Sequence, residues 1–302
     1  MTILKGKPVA DFHKAALQEK IEALKAKNIT LGMGILLVGS NVGAQMYAKF
    51  MEKTAKNFGF DVFLLQLPET ATQAEVEAAL IKLNTNDAVY GILPLMPMPK
   101  QIDTERIITL LNPEKDIDGL TLANIGLLHA GKQGFVPCTP RACMAILDYY
   151  DIPIASKKVV VIGRSDVVGK PVAMLALNRN ATVTICHSKT HNMRDELLQA
   201  DIIIAAAGKA HMVTADMVAP HSVIIDVGIN DMDGKTVGDV DYEAIVDKVS
   251  AITPVPGGVG SVTTTMMLLA LYEAYERRIT SASALNRESG SHATMMDGKA
   301  HA

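Results

Sequence analysis

The chain has 302 residues, 49% of them hydrophobic, which is ample to bury a core in one large or two ordinary α/β domains. Acids and bases are interspersed to a net charge of -3, excluding both the basic patch of a nucleic-acid binder and the cationic face of a membrane-surface protein. Cys138, Cys143 and Cys186 are odd in number and lack C-x-x-C spacing, so neither a disulfide framework nor a metal site is expected.

The first residues, MTILKGKPVADFHK, lack the cationic start and apolar core of a secretion signal, and no apolar run reaches the roughly 18 to 20 residues that span a bilayer. A reduced, cytoplasmic setting is expected. Strand-like runs then alternate with amphipathic helical runs: LGMGILLVG, a helix from about Ala44 to Phe58, FDVFLLQLP, a helix through Glu75 to Leu83, VYGILPLMP and a helix near Ile107. A helix over Arg141 to Tyr150 leads into a second series, with strands at Lys158 to Ile162, Thr182 to Cys186, Ile202 to Ala205 and Val223 to Val227. This β-α rhythm predicts an α/β fold of two doubly wound parallel-sheet domains, the C-terminal one of Rossmann type.

The second domain is expected over 137–261. The run VTTTMMLLALYEAYERR reads as an amphipathic helix that returns to the first domain, giving 1–136 plus 262–278. Residues 279–302, small, polar and without apolar period, have the composition of a disordered tail.

Two glycine-bearing strings carry the chemistry. In VVVIGRSDVVGKP, four β-formers break at Gly163 and helix-permissive sequence resumes after Gly169, the pattern by which a strand delivers a phosphate to a helix N-terminus. The spacing G-x-x-x-x-x-G is looser than G-x-G-x-x-G and also fits an ordinary β-α turn. The next strand ends in Cys186-His187-Ser188-Lys189, without the Asp or Glu that grips a ribose 2'-hydroxyl in NAD enzymes. Arg164, Ser188 and Lys189 would instead accommodate a 2'-phosphate, favouring NADP over NAD; the plainer reading makes Arg164 and Lys189 solvated loop charges. His187 is read as a packed or ribose-facing ring rather than a base. The second string, TPVPGGVG, is a rigid turn followed by bare backbone that a flat ligand can approach.

With these stand VGSN...Y, YGIL...P-x-P, PEKDIDGLT, PCTP, TVTICHSKT, AAAGK and IDVGIN, in order between Val38 and Thr263. The set resembles the methylenetetrahydrofolate dehydrogenase/cyclohydrolase family over all but the tail. The resemblance implies an N-terminal catalytic domain and a C-terminal NADP domain facing each other across a cleft, tetrahydrofolate derivatives as substrates, and a homodimer. It implies that Asp118 binds the pterin edge, that Tyr47 lines the folate pocket, and that Pro256, Gly257, Gly260 and Thr263 form its wall. It assigns the dinucleotide to Gly163, Arg164, Ser165, Gly169, Ser188 and Ile229. From the residues alone, Asp118 would be a turn or helix-cap acid and Tyr47 one face of an amphipathic helix.

The chain departs from the family at two polar positions. Family members that perform both reactions carry Y-x-x-x-K with the lysine as acid/base, whereas Tyr47 is followed by Met51; the glutamine of GILVQLPLP is replaced by Leu95. Lys49 and Lys53 each lie roughly 160° to 200° round the helix from position 51 and are not substitutes. Ala44, Pro94 and Ser261 are smaller departures.

Hydride transfer from 5,10-methylenetetrahydrofolate requires no side chain to take a proton, whereas opening the methenyl ring to 10-formyltetrahydrofolate does. General acid/base help is worth about 10² to 10⁴ in rate, roughly 3 to 5 kcal/mol. The expectation is a dehydrogenase with an impaired cyclohydrolase step. The alternatives are the full bifunctional activity, a silent NADP- or folate-binding protein, and hydride transfer to another substrate.

Overall fold

Apolar runs closed by glycine, proline or charged turns form the strands, and runs with an apolar stripe at helical spacing form the helices between them. The structure is a computed structural model that describes residues 1–297, with side chains through Ser281. Its first elements are β1 (Thr2–Ile3), α1 (Gly6–Lys25), β2 (Gly32–Val38), α2 (Val42–Phe58), β3 (Asp61–Leu67), α3 (Gln73–Thr85), β4 (Val89–Pro94) and α4 (Thr104–Leu110). Next come α5 (Leu122–His129), α6 (Cys138–Tyr149), β5 (Lys158–Ile162), α7 (Gly169–Asn178), β6 (Thr182–Cys186), α8 (Met193–Leu198) and β7 (Ile202–Ala205). The last are β8 (Val223–Asp226), β9 (Asn230–Met232), β10 (Lys235–Val237), α9 (Tyr242–Ile245), β11 (Ala251–Ile252) and α10 (Gly260–Asp297).

Two compact units result, one of residues 1–28 with 118–268 and one of 29–117 with the chain from Leu269 onward. The larger is built on a six-stranded sheet in the order β1-β11-β8-β7-β5-β6, with every pairing parallel. Val160, Ile162, Ile203, Ala205 and Ile224 enter one buried cluster, while the alternate residues Val159, Val161, Ile202, Ile204 and Ile225 are equally buried on the opposite face. Burial on both faces is why these strands read as continuous β-branched runs. In the smaller unit β2 is the central strand of a parallel sheet ordered β3-β2-β4 and is buried along its whole length. Leu36, Val38 and Ile92 pack there with Val76, Leu80 and Leu83 of α3 and with Ile107 of α4.

The limits of these units differ from the boundaries expected at 136/137 and 261/262. Residues 1–28 join the six-stranded unit because Thr2 and Ile3 pair with Ala251 and Ile252, and the Gly6 amide donates to the Gly257 carbonyl at 2.8 Å. Where a disordered tail is expected from 279, α10 continues to Asp297; the segment contains no proline, and Gly290 weakens a helix without breaking its hydrogen bonds. Residues 298–302 of that expected tail lie outside the described residues.

Candidate functional site

In the six-stranded unit the chain runs from β5 outward to β6, then crosses back over β5 to β7. The order of strands therefore reverses between β5 and β7, and at such a switch point the loops leaving the carboxyl ends of the two strands diverge and open a crevice. A cavity of about 500 Å³ lies there. It is lined by Ile162, Gly163, Arg164 and Ser165 after β5, by His187 and Ser188 after β6, and by Ala206, Ala207, Lys209 and Met212 after β7.

The loop after β5 is built on its glycines. Gly163 holds φ at +112°, and a Cβ there would lie 2.1 Å from the Ala206 carbonyl oxygen, so the cavity floor must be bare backbone. Gly169, the first residue of α7, packs on Gly163 so closely that a Cβ would sit 2.3 Å from the Gly163 oxygen. The Ser165 hydroxyl accepts from the amides of Val168 at 3.2 Å and Gly169 at 3.3 Å, tying down the start of α7. After β6, the His187 Nδ1 accepts from the Lys189 amide at 3.1 Å, which assigns the proton of a neutral ring to Nε2. Among the described residues no carboxylate pairs with Arg164 or Lys209. Two cationic side chains thus line one cavity.

Gly163, Arg164, Ser165 and Ser188 of the expected dinucleotide set are brought together here; Gly169 supports the loop from behind. Ile229 is not in the lining. It is 71% exposed, and its Cδ1 lies 3.8 Å from where a Cβ on Gly260 would be, beside the turn that opens α10. Lys209 was not singled out by sequence reasoning. Its signal was the AAAGK string, whose place beside Gly163 depends on the strand order.

Asp118 lies at the N-terminus of α6, where its Oδ1 accepts from the Cys138 amide at 2.9 Å. The helix-cap role considered for it is therefore present, and an anionic group is favoured at that end of the helix dipole. The turn before α10 contains a cis Val255–Pro256 bond and Gly257 at φ +107°, and the Thr263 hydroxyl donates to the Gly260 carbonyl at 3.2 Å. Gly258 sits so close beneath Pro254 that a Cβ would lie 2.5 Å from its oxygen. Burial pushes the Cys143 thiol up to about 12 and raises that of Cys186, so neither offers a thiolate.

In the smaller unit, Tyr47 and Met51 stand one turn apart on α2. Tyr47 is 36% exposed, whereas Met51 is 0% exposed and shares the buried stripe of Ala44, Ala48 and Ala55. Lys49 and Lys53 lie on the exposed side. Leu95 follows β4, 4% exposed, its amide donating to the Leu36 carbonyl at 2.9 Å. Both positions that carry polar groups in the family pattern are thus filled by buried apolar side chains.

The model of the tetrahydrofolate dehydrogenase/cyclohydrolase catalytic domain matches residues 4–118, and that of the NAD(P)-binding domain of the same family matches residues 137–279. The chain belongs to the tetrahydrofolate dehydrogenase/cyclohydrolase family. It is 44% identical over 275 residues to the bifunctional protein FolD of Dictyoglomus thermophilum, covering 91% of this chain and 97% of that protein. The solved structure of the bifunctional FolD enzyme of Campylobacter jejuni superposes with a TM-score of 0.90 at 41% identity, over 92% of this chain and 99% of that one. The Trypanosoma brucei FolD structure, complexed with NADP cofactor and an inhibitor, gives a TM-score of 0.87 at 34% identity over 92% and 98%. The family's α/β architecture of parallel sheets, with an NAD(P)-binding C-terminal region, is the one described above.

Proposed function

We propose that the chain is an NADP-dependent 5,10-methylenetetrahydrofolate dehydrogenase of one-carbon metabolism. The observation that carries this reading is the switch-point cavity, where Arg164 and Lys209 face a space floored by bare glycine backbone and β6 ends without an acid. The residues present suit a dinucleotide carrying a 2'-phosphate: a planar guanidinium for bidentate contact, serine hydroxyls, and no carboxylate to repel the charge. NADP, when bound, supplies the hydride acceptor. Arg164, Ser165 and Ser188 hold its polar groups, Gly163 and Gly169 allow close approach, and Ile229 offers an apolar face.

For the folate, Asp118 accepts paired N–H bonds from the pterin edge, and Tyr47, Pro256, Gly257, Gly260 and Thr263 line its pocket. Functionally, 1–136 with 262–278 serves the folate and 137–261 the nucleotide, and the active species is a homodimer. No side chain has to accept a proton during hydride transfer, so the work of these residues is orientation and contact.

The ring-opening step has two readings. Relatives such as the Dictyoglomus thermophilum and Campylobacter jejuni proteins are named as bifunctional, which supports the full dehydrogenase/cyclohydrolase activity here. Met51 and Leu95 favour the second reading, a dehydrogenase whose cyclohydrolase step is crippled, since neither a thioether nor an isobutyl group moves a proton. A two-wavelength assay separates them by following reduced nicotinamide and methenyl-folate independently. Under the second reading methenyl-folate accumulates, and Met51→Lys with Leu95→Gln accelerates its decay by about 10² or more. Prompt formyl-folate production by the wild type establishes the bifunctional reading, and no reduction of NADP or NAD at all overturns the dehydrogenase itself.

A further inference from the structure

The loop after β7 is held from behind by two buried aspartates that do not line the cavity. Asp239, wholly buried, accepts four hydrogen bonds on its carboxylate: from the amides of Ala207 at 2.6 Å, Gly208 at 2.9 Å and Lys209 at 2.8 Å, and from Asn230 Nδ2 at 3.0 Å. Three successive amides converging on one anion fix the path of that turn, which passes through Gly208 at φ +64°. Asp239 is itself seated by Asp226, whose Oδ1 accepts from the amides of Gly228 and Asp239 and whose Oδ2 accepts from Val240, each at 3.0 Å. Glycines make room for both carboxylates: a Cβ on Gly228 would lie 2.2 Å from Asp239 Oδ1, and one on Gly238 1.8 Å from Asp226 Oδ2.

We infer that Asp239 is a positioning residue for the cofactor, pinning the Ala207–Lys209 turn so that the Lys209 ammonium meets the phosphate groups of the dinucleotide. The inference rests on the reading of this cavity as an NADP site. Lys209 is exposed, has no ion-pair partner among the described residues, and has a flexible stem. With its backbone already ordered by Asp239, ligand binding has only the side chain left to immobilise, which keeps the entropic cost low. Asparagine at 239 keeps the shape but sets an NH2 against amide donors, so at least one bond to the turn is lost.

The test is NADPH titration, by fluorescence, of the wild type, Asp239→Asn, Lys209→Met and the double variant. Each single change should weaken binding by about tenfold or more. Because both act through one contact, the double should stay within about threefold of Asp239→Asn. NADH run in parallel locates the contact: loss shared by both ligands indicates the pyrophosphate, loss confined to NADPH the 2'-phosphate, and either supports the inference. Lys209→Met binding within about twofold of wild type overturns it, as do single effects that multiply in the double. Should Asp239→Asn fail to fold, native-state hydrogen exchange of the wild type decides: amides 207–209 should exchange at least about 100-fold slower than an open turn, and unprotected exchange overturns the inference. A wild type that binds no NADPH overturns the NADP reading together with this one, whereas normal binding by Asp239→Asn overturns this one alone.

Discussion

A carboxylate 2% exposed, as Asp226 is, keeps its charge only at a cost. Burial pushes its pKa from 3.8 to about 6, with the charge of Asp239 adding to the rise, against the lowering by the amides of Val240, Asp239 and Gly228. A folded value above the unfolded one means that the proton stabilises the fold. That contribution is complete below the unfolded value and disappears as pH rises through about 6. Between pH 5 and 7 the wild type should therefore lose about 1 kcal/mol from this group. Half-buried His13 works the other way, since its value is lowered, chiefly by desolvation, and its contribution is lost as pH falls. The quantity to measure is thus the difference in urea stability between wild type and Asp226→Asn across that window. An unchanged slope in the variant would remove Asp226 as its source.

At the scale of the element, α3 shows how the chain holds a helix at both ends. Thr72 and Glu75 form a reciprocal capping box at its start. At its end the buried Lys115 ammonium donates to the carbonyls of Asn84 at 2.7 Å and Asn86 at 2.8 Å, with Leu83 more distant at 3.4 Å. A cation there complements the helix dipole, and desolvation lowers its pKa. The lysine of PEKDIDGLT thus closes a helix, three residues before the aspartate of the same string turns to α6. Lys115→Met should cost about 2 kcal/mol of stability by stranding those carbonyls, read as a lowered thermal midpoint. A midpoint within experimental error of wild type would show that water replaces the ammonium.

For the whole molecule, the cavity proposed for the cofactor lies within the six-stranded unit alone, so ligand binding should stabilise that unit directly. NADPH at about 100 times its Kd should add roughly 2.7 kcal/mol. Calorimetry should show at least one transition move upward with NADPH concentration, and a scan unmoved by saturating NADPH contradicts a site in the native fold.

The local signals were legible because they depend on backbone preference and side-chain chemistry over a few residues. VVVI followed by Gly163 makes a strand and then a turn that only glycine enters easily, wherever the strand later pairs. The acid missing after Cys186 and the apolar Met51 and Leu95 are likewise facts of composition at known motif positions. The two-residue β1 carried no periodicity to read, and its partner Ala251 lies at the other end of the chain. Nor could spacing bring Asp239 to Ala207 or Lys209 to Gly163. Those meetings follow from the crossing that sets β7 beside β5 and from the turns after β8 that fold back to its end. The sequence by itself determined the strand-turn-helix units and the chemistry they carry. Which units became neighbours was decided only in the tertiary structure, because burial of both sheet faces selects strand order through contacts among residues far apart in the chain.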